Sequence, residues 1–525
     1  MPIRMVPDEG NEQSSRSNGP LRRRSSGTGM AGGGSLIPLL LGFLIKRPKL
    51  LLVLAIGFAL FYFFGGMKSC TGPGGDDMIS QLAGFTTGAE FDPALYDQAE
   101  VYEPLADNVK NPLPERITLE RYCPPRLNQG QQGSCVAWAS AYAARTIVQA
   151  RAAERTPSSQ EAFSPSYLYN QIKIPNSGCQ GSYIYRAMET MLQGGVLPFS
   201  RFGYTDQDCS KQPSGSDKQQ AQQYRIKGFQ RLTLGADDQR VDMLAMKQYL
   251  SQGSPVVIGM MVGGTFMQDM EGREAWTPTQ NDANMPGFGG HAMCVVGYDD
   301  YKFGDQGGFL LMNSWGPEWG ANGLAWVPYD AFDYFCKEAY AVYPMGENPT
   351  ERPAEFDIRF GFQDQSTKRN IRLVSAGDGI FRTVEPIAKG SKFKVEVTNN
   401  AECYTYLFGQ ETDGSIYVLF PYTPKHSPYC GITGTRLFPH DHSLMADDVG
   451  SRDVMAVLVT NQPFDYNKVQ EGLNASRAGD LAGKLRDVLG EELQTTVRYT
   501  DGETIGATCS TDRNALAIVL ELDKR

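Results

Sequence analysis

Histidine is what this sequence has least of, with four in 525 residues. Three of them, His426, His440 and His442, lie close together near the C-terminus, so His291 is the only imidazole in the rest of the chain. That shortage disfavours a zinc hydrolase, whose metal is held largely by imidazole nitrogens. No cysteine stands at zinc-ligand spacing from the C-terminal three, and no helix signal flanks them. They read, with Asp441, as a solvated loop, and neither a metal nor another cofactor is expected. A long basic stripe is also missing outside the N-terminus, and the formal charge is −10, which excludes nucleic acid as a natural partner. No internal repeat is present, which removes solenoids and propellers. What remains is a mostly globular chain, 41% hydrophobic and 21% charged, longer than one hydrophobic core usually supports.

The first 35 residues are rich in Ser, Gly, Arg and Asn and cannot bury enough apolar surface to offset chain entropy, so residues 1–49 read as a disordered basic tail. Within it, Leu36 to Ile45 is apolar but too short to span a bilayer. After Lys46-Arg47-Pro48-Lys49, the run Leu50 to Met67 carries no charge. A helix of that length covers roughly 27 Å at about 1.5 Å per residue, enough for a hydrocarbon core. A cleaved signal peptide is the alternative, but it wants a short basic start and a small-residue cleavage site, and this run ends Phe61-Tyr62-Phe63-Phe64. Residues 50–67 are therefore expected to be a single transmembrane helix. Basic residues precede it and only Lys68 follows closely, so the N-terminus belongs in the cytoplasm and the rest in the periplasm or outside the cell. Ten cysteines suit such an oxidising compartment.

Residues 68–115 are irregular, with Gly, Pro and Asp, and read as a tether. From 116 to 345 a domain begins helical and ends in strands. Cys135 to Glu154 is Ala-rich without Gly or Pro, and Tyr183 to Gln193 is a second helix ended by Gly194-Gly195. Pro255 to Val262, Ala292 to Tyr298, Phe309 to Asn313 and Leu324 to Val327 read as strands. Helices first and strands second make an α+β domain. Glu347 to Glu355 is a polar boundary. Residues 356–525 return to strand patterns, at Lys392 to Thr398, Tyr404 to Gly409, Ile416 to Phe420, Val454 to Val459 and Leu516 to Leu522, with one helix between Gln470 and Leu489. A β-rich sandwich with a helix laid on it is expected there, with Cys403 and Cys430 as a candidate disulfide.

Cys135 stands immediately before the Ala-rich helix, where the dipole and unpaired N–H groups favour a thiolate. A buried small cysteine at a helix start is the plain alternative. A thiolate needs a partner, and His291 is the only imidazole in its domain. It opens a strand after Gly287-Phe288-Gly289-Gly290, an approach expected to leave the ring exposed at a rim. Asn313 follows 22 residues later in Asn313-Ser314-Trp315-Gly316. Its amide oxygen can fix the imidazole without adding a competing charge, and Trp315 can cover that bond. Gln129 can donate an amide N–H toward a developing oxyanion, together with the N–H of Cys135.

These residues resemble the papain family of cysteine peptidases. Three islands carry the resemblance, in order: Asn128-Gln129-Gly130 with Gly133-Ser134-Cys135; Gly290-His291-Ala292 with Val296-Gly297-Tyr298; and Asn313-Ser314-Trp315-Gly316 with Trp319-Gly320 and Asn322-Gly323. Cys135 and His291 are 156 residues apart, near the family's separation. The resemblance implies a helical lobe and a barrel-like sheet lobe with the site in the cleft between them. It implies Cys135 as nucleophile, His291 as general base and acid, Asn313 as orienter and Gln129 as the side-chain half of the oxyanion hole. Val136 and Gln132 depart from the family pattern. Gln132 stands where many members have a disulfide cysteine; Cys179 resembles that cysteine's partner and must pair elsewhere, with Cys209 the candidate. The 71–115 segment looks too short and irregular for the family's helical inhibitory propeptide. The C-terminal region resembles a β-rich domain of unknown function appended to bacterial proteases and kinases, which implies a bacterial envelope and an envelope protein partner. An active endopeptidase on peptide or protein substrates is the reading these residues favour. An exopeptidase or transpeptidase on the same scaffold, and a catalytically silent peptide-binding or scaffold module, are its alternatives.

Overall fold

A helix buried on every side belongs in the middle of a domain, and the first fourteen residues of Cys135–Ala152 meet that condition. From Cys135 to Val148 every residue is buried. The segment runs as α-helix over Cys135–Ala137, widens to a π-helix over Trp138–Arg145 and closes as α-helix over Thr146–Ala152. Two helices flank it. Pro165–Ile172 has proline in its first turn and Ser164 capping the Tyr167 N–H at 3.1 Å, and Ile184–Gln193 ends at Gly194. These observations come from a computed structural model that describes residues 3–8, 86–107, 109–279, 282, 288–344 and 354–525.

The other lobe is a seven-stranded antiparallel sheet. Its order is Phe229–Arg231, Cys336–Val342, Val256–Val262, Gly289–Phe303, Gln306–Met312 and Leu324–Pro328, with Arg116–Thr118 also pairing on Gly289–Phe303. The α+β papain-like organisation expected for 116–345 is therefore present, helices before strands. Helix and sheet share one apolar cluster that includes Val136, Ile147, Ile258, Val295 and Leu311.

The C-terminal region is two packed sheets. In Glu355–Asp364 the alternation is plain: Phe356, Ile358 and Phe360 are buried while Glu355, Asp357 and Arg359 face solvent, as a half-buried strand requires. A sandwich was expected, and so was one helix between Gln470 and Leu489. Two are present, Tyr466–Ala475 and Leu481–Leu489. Ser476 is extended, and Asp480 starts the second by accepting the Gly483 N–H at 2.7 Å. Their Val469, Leu473, Leu481 and Leu485 pack on Tyr406, Phe408 and Leu458 of one sheet.

Three expectations need correction. Residues 3–7 are not part of a disordered tail: Ile3–Pro7 pairs antiparallel with His442–Ala446 on the edge of the C-terminal domain. Asp8 secures the end, accepting from Lys394 Nζ at 2.7 Å and from Ser443. Residues 86–115 are not a loose tether, because Tyr96, Val101, Tyr102 and Leu105 are each only 2% exposed and hold the segment against both domains. Cys403 and Cys430 face each other across paired strands but are free thiols. The expected span at 50–67 lies outside the described residues; among those described, no helix is long and apolar enough to cross a membrane.

Cys179 and Cys209 form the one disulfide among the described residues, pinning the loop before the Ile184 helix to the segment after Phe202. Closing a loop of 30 residues stabilises by about 3.6 kcal/mol in the chain-entropy account. Cys209→Ser is expected to lower the thermal midpoint accordingly; an unchanged melting curve would contradict a structural role.

Candidate active site

The site sits where the two lobes meet. The central helix delivers Cys135 as its first residue, and the strand Gly289–Phe303 delivers His291 as its third. The Cys135 Sγ accepts from the Ala292 N–H at 3.4 Å, so thiol and imidazole come to one place. Asn313 follows the next strand, and its Oδ1 lies 2.7 Å from His291 Nε2 and also accepts the Ser314 N–H at 2.8 Å. An acceptor oxygen there places the ring proton on Nε2 and leaves Nδ1 as the basic nitrogen. That Nδ1 is buried and makes no hydrogen bond. Trp315 stacks on the imidazole, ring centroids 4.4 Å apart and 27° from parallel, and keeps water from the His291–Asn313 bond.

Gln129 is held from both ends. Its backbone N–H donates to the Ser314 carbonyl at 2.8 Å, and its Oε1 accepts from Ser314 Oγ at 2.6 Å. Its Nε2 donates to the carbonyls of Gln132 and Thr86, each at 2.9 Å. The structure thus brings Cys135, His291, Asn313, Gln129 and Trp315 together, all buried.

What the sequence did not disclose is the chain lying over them. Thr86 to Phe91 runs through the groove between the lobes. The N–H groups of Gly88 and Ala89 donate to the Gly290 carbonyl at 3.1 and 2.9 Å. Glu90 N–H donates to Ser182 O, and Ser182 N–H to Gly88 O, each at 3.0 Å, with Ala89 and Ser182 running parallel. The Thr86 carbonyl accepts from Gln129 Nε2 and, at 3.0 Å, from Trp315 Nε1. Glycine makes the approach possible. A Cβ on Gly290 would overlap the Ala89 carbonyl, and one on Gly88 would overlap the Gly133 backbone. The Phe91 ring fills the space a side chain at Gly259 would need.

Cover sets the electrostatics. Cys135 and His291 are both 0% exposed, which corrects the expectation of a rim-exposed ring. Burial pushes the Cys135 thiol up to about 12, against the N–H groups of Ala292, Val136 and Cys135 itself, which favour the thiolate. Burial likewise lowers His291 to about 4, although its bond to Asn313 favours the charged ring. Both shifts are of the desolvation kind. In this arrangement the pair is neutral thiol and neutral imidazole. Once water and substrate replace the strap, the same two groups can exchange a proton.

Residues 116–345 match the family model described as papain family cysteine protease. The match covers under half of the chain and takes in both lobes that meet at Cys135 and His291. Residues 387–463 match a domain of unknown function, DUF4384. Among curated relatives, an uncharacterized peptidase C1-like protein of Acanthamoeba polyphaga mimivirus is 30% identical over 217 residues, 39% of this chain and 64% of its own length. Cathepsin K of Mus musculus is 25% identical over 255 residues, 48% of this chain and 70% of its own. Xylellain, a cysteine protease from Xylella fastidiosa, aligns with 49% of this chain and 95% of its own at 25% identity and a TM-score of 0.40. The chain spans 64% and 56% of the length of the first two curated relatives it matches.

The cover has a direct readout. In the full chain at neutral pH, Gly88→Val is expected to displace the strap from Gly133 and speed iodoacetamide labelling of Cys135 at least tenfold, read by peptide mass spectrometry. Equal rates in the two proteins would contradict an occluded thiol.

Proposed function

We propose that this protein is a cysteine endopeptidase of papain type in a latent state, with Cys135 as nucleophile, His291 as base and acid, Asn313 as orienter and Gln129 as an oxyanion donor. The observation that carries the reading is the convergence of Cys135 with a His291 ring whose Nε2 is held by Asn313 at 2.7 Å and whose Nδ1 is left free. With the strap out of the groove, His291 Nδ1 takes the Cys135 proton. The thiolate adds to a substrate carbonyl, and the oxyanion takes the place of the Thr86 carbonyl on Gln129 Nε2, with the Cys135 N–H as second donor. Collapse of this intermediate breaks the C–N bond, and His291 hands its proton to the leaving amine. A thioester acyl-enzyme remains. His291 then removes a proton from water, the hydroxide displaces the thiolate, and the acid product leaves with the site restored. Trp315 excludes water from the bond that orients the imidazole, and peptides or proteins are the substrates.

Activity is best read on a Gly88→Val background with a fluorogenic protein substrate. Cys135→Ala is expected to abolish turnover. His291→Ala should cost about 10³-fold or more in kcat/KM and Asn313→Ala about tenfold to a hundredfold, the pattern of groups that act as a unit. Turnover surviving Cys135→Ala would sink the assignment. The silent peptide-binding module draws support from the fully covered, neutral pair, and it becomes the better reading if Gly88→Val exposes Cys135 to labelling without any turnover.

The proposal includes attachment to a bacterial envelope membrane through 50–67, with the peptidase domain outside the cytoplasm and an envelope protein as a partner of the C-terminal domain. A single crossing there would place Ile3–Pro7 across the bilayer from His442–Ala446, so anchoring requires that strand pair to part. Full chain expressed in bacteria is expected to stay with membranes through alkaline carbonate extraction, and a chain lacking 50–67 to be released; release of both would remove the anchor from the proposal.

A further inference from the structure

The chain that leaves the groove does not go free. From Asp97 to Asp107, and again at Lys110 and Asn111, it lies between the peptidase domain and the C-terminal domain and is bonded to both. Val101 bridges to Arg231 on one side and to His426 on the other. On the peptidase side, Arg231 N–H donates to Glu100 O at 2.9 Å, and Tyr102 N–H to Arg231 O at 3.2 Å. Gln248 Oε1 accepts from Tyr102 Oη and from the Leu105 N–H, each at 3.1 Å.

The C-terminal side is at least as well built. Val101 N–H donates to Lys425 O at 2.7 Å, Ser427 N–H to Val101 O at 3.0 Å, and Ala106 N–H to Thr435 O at 2.8 Å. Asn111 clamps Thr435 in both directions, Nδ2 donating to its carbonyl at 2.9 Å and Oδ1 accepting its N–H at 2.7 Å. The buried carboxyl of Glu103 accepts from Tyr422 Oη at 2.8 Å, and the buried Arg436 Nε donates to the Glu103 carbonyl at 3.1 Å. Lys425 reaches Asp97 at 2.6 Å, and Lys110 reaches Glu396 at 2.6 Å. Every one of these partners falls within residues 387–463, the stretch that matches the domain of unknown function.

We infer that the C-terminal domain is the clasp of the latent state: it holds Val101 to Asp107, and Asn111 beyond it, as a shared segment and thereby keeps Thr86 to Phe91 in the active-site groove. The inference rests on the latent-peptidase reading and adds the domain that enforces it. The physical basis is effective concentration. With Val101 fixed, the groove segment is held by a leash of about ten residues. With the clasp open, the segment keeps only its peptidase-side bonds to Arg231 and Gln248; where these let go as well, the next strand pairing is at Arg116, about 25 residues from Phe91. Since effective concentration falls roughly as the −3/2 power of leash length, that change alone weakens groove occupancy about fourfold, before the lost hydrogen bonds are counted. Tyr96, whose Oη accepts the Ala339 N–H at 3.1 Å, holds the strap to the peptidase domain and keeps the effect graded. A partner that competes for the Lys425 to Thr435 edge would then open the peptidase from a distance.

The test uses the full chain carrying Asn111→Ala with Tyr422→Phe, neither of which touches the groove. Cys135 labelling by iodoacetamide is measured beside wild type and Gly88→Val, with amide exchange at Val101 and Ala106 reporting whether the clasp has loosened. The expected result is labelling at least fivefold faster than wild type, approaching Gly88→Val, with faster exchange at both amides. Exchange that rises at Val101 and Ala106 while labelling stays within twofold of wild type would overturn the clasp and leave the covered site standing. If Gly88→Val itself labels no faster than wild type, the covered site falls and the clasp with it. Lys425→Ala combined with Glu396→Gln repeats the measurement should the first pair fail to fold.

Discussion

The Gly290 carbonyl, accepting two N–H groups from Gly88 and Ala89, is the contact around which the rest of this structure is arranged. It lies one residue before His291, so whatever pairs with it covers the imidazole. Because Gly290 has no side chain, the strap can come close enough to close the groove, and Gly88 and Gly259 make room at the neighbouring points. The closure adds to the burial that the two lobes and Trp315 already give the site. A thiol and an imidazole that would trade a proton in water are both held neutral, because the burial cost of either charge exceeds what the surrounding N–H groups and Asn313 return.

The closure also bears on the contacts between the two domains. A segment that lies in a groove only through its own few hydrogen bonds would come and go readily, each bond contributing about 1 kcal/mol net. Here the segment is continuous with Val101, which bridges to Arg231 on one side and to His426 on the other. Between the domains, Tyr343 stacks on Tyr429 with centroids 4.0 Å apart, and Lys227 pairs with Glu402 at 2.9 Å. The strap is thus bonded to the peptidase domain and to the sandwich, and the two domains also touch each other directly.

The residues of the site were legible in the sequence because each carries its chemistry in its type. His291 had no competitor in its domain, and Cys135, Asn313 and Gln129 sat at turns whose glycines marked them. Helix and strand periods placed the elements that carry them. The strap was not legible for a physical reason: its order comes from tertiary partners, not from local propensity. Phe91, Tyr96, Val101, Tyr102 and Leu105 follow neither a helical nor a strand period, and Tyr96, Tyr102 and Leu105 join the peptidase domain's own core. Their density in a stretch of Gly, Pro and Asp was one available signal, and the Asp92 cap with Pro93 that opens the short helix Pro93–Tyr96 was another. Ile3–Pro7 escaped for the same reason, as an edge strand whose hydrogen bonds are all made to residues far along the chain. The reading of one helix after Gln470 failed at Ser476 to Asp480, where an extended residue and an Asp cap divide a continuous apolar pattern.

The central claim is that the strap sets the charge state of the site, and the most direct measurement is the titration of the His291 ring by NMR in Cys135→Ala, with and without Gly88→Val. The account predicts an imidazole that stays neutral down to about pH 4 in the covered protein, and one that titrates near the ordinary histidine value of about 6.5 once the strap is displaced. Identical titration in the two proteins, at either value, would contradict it.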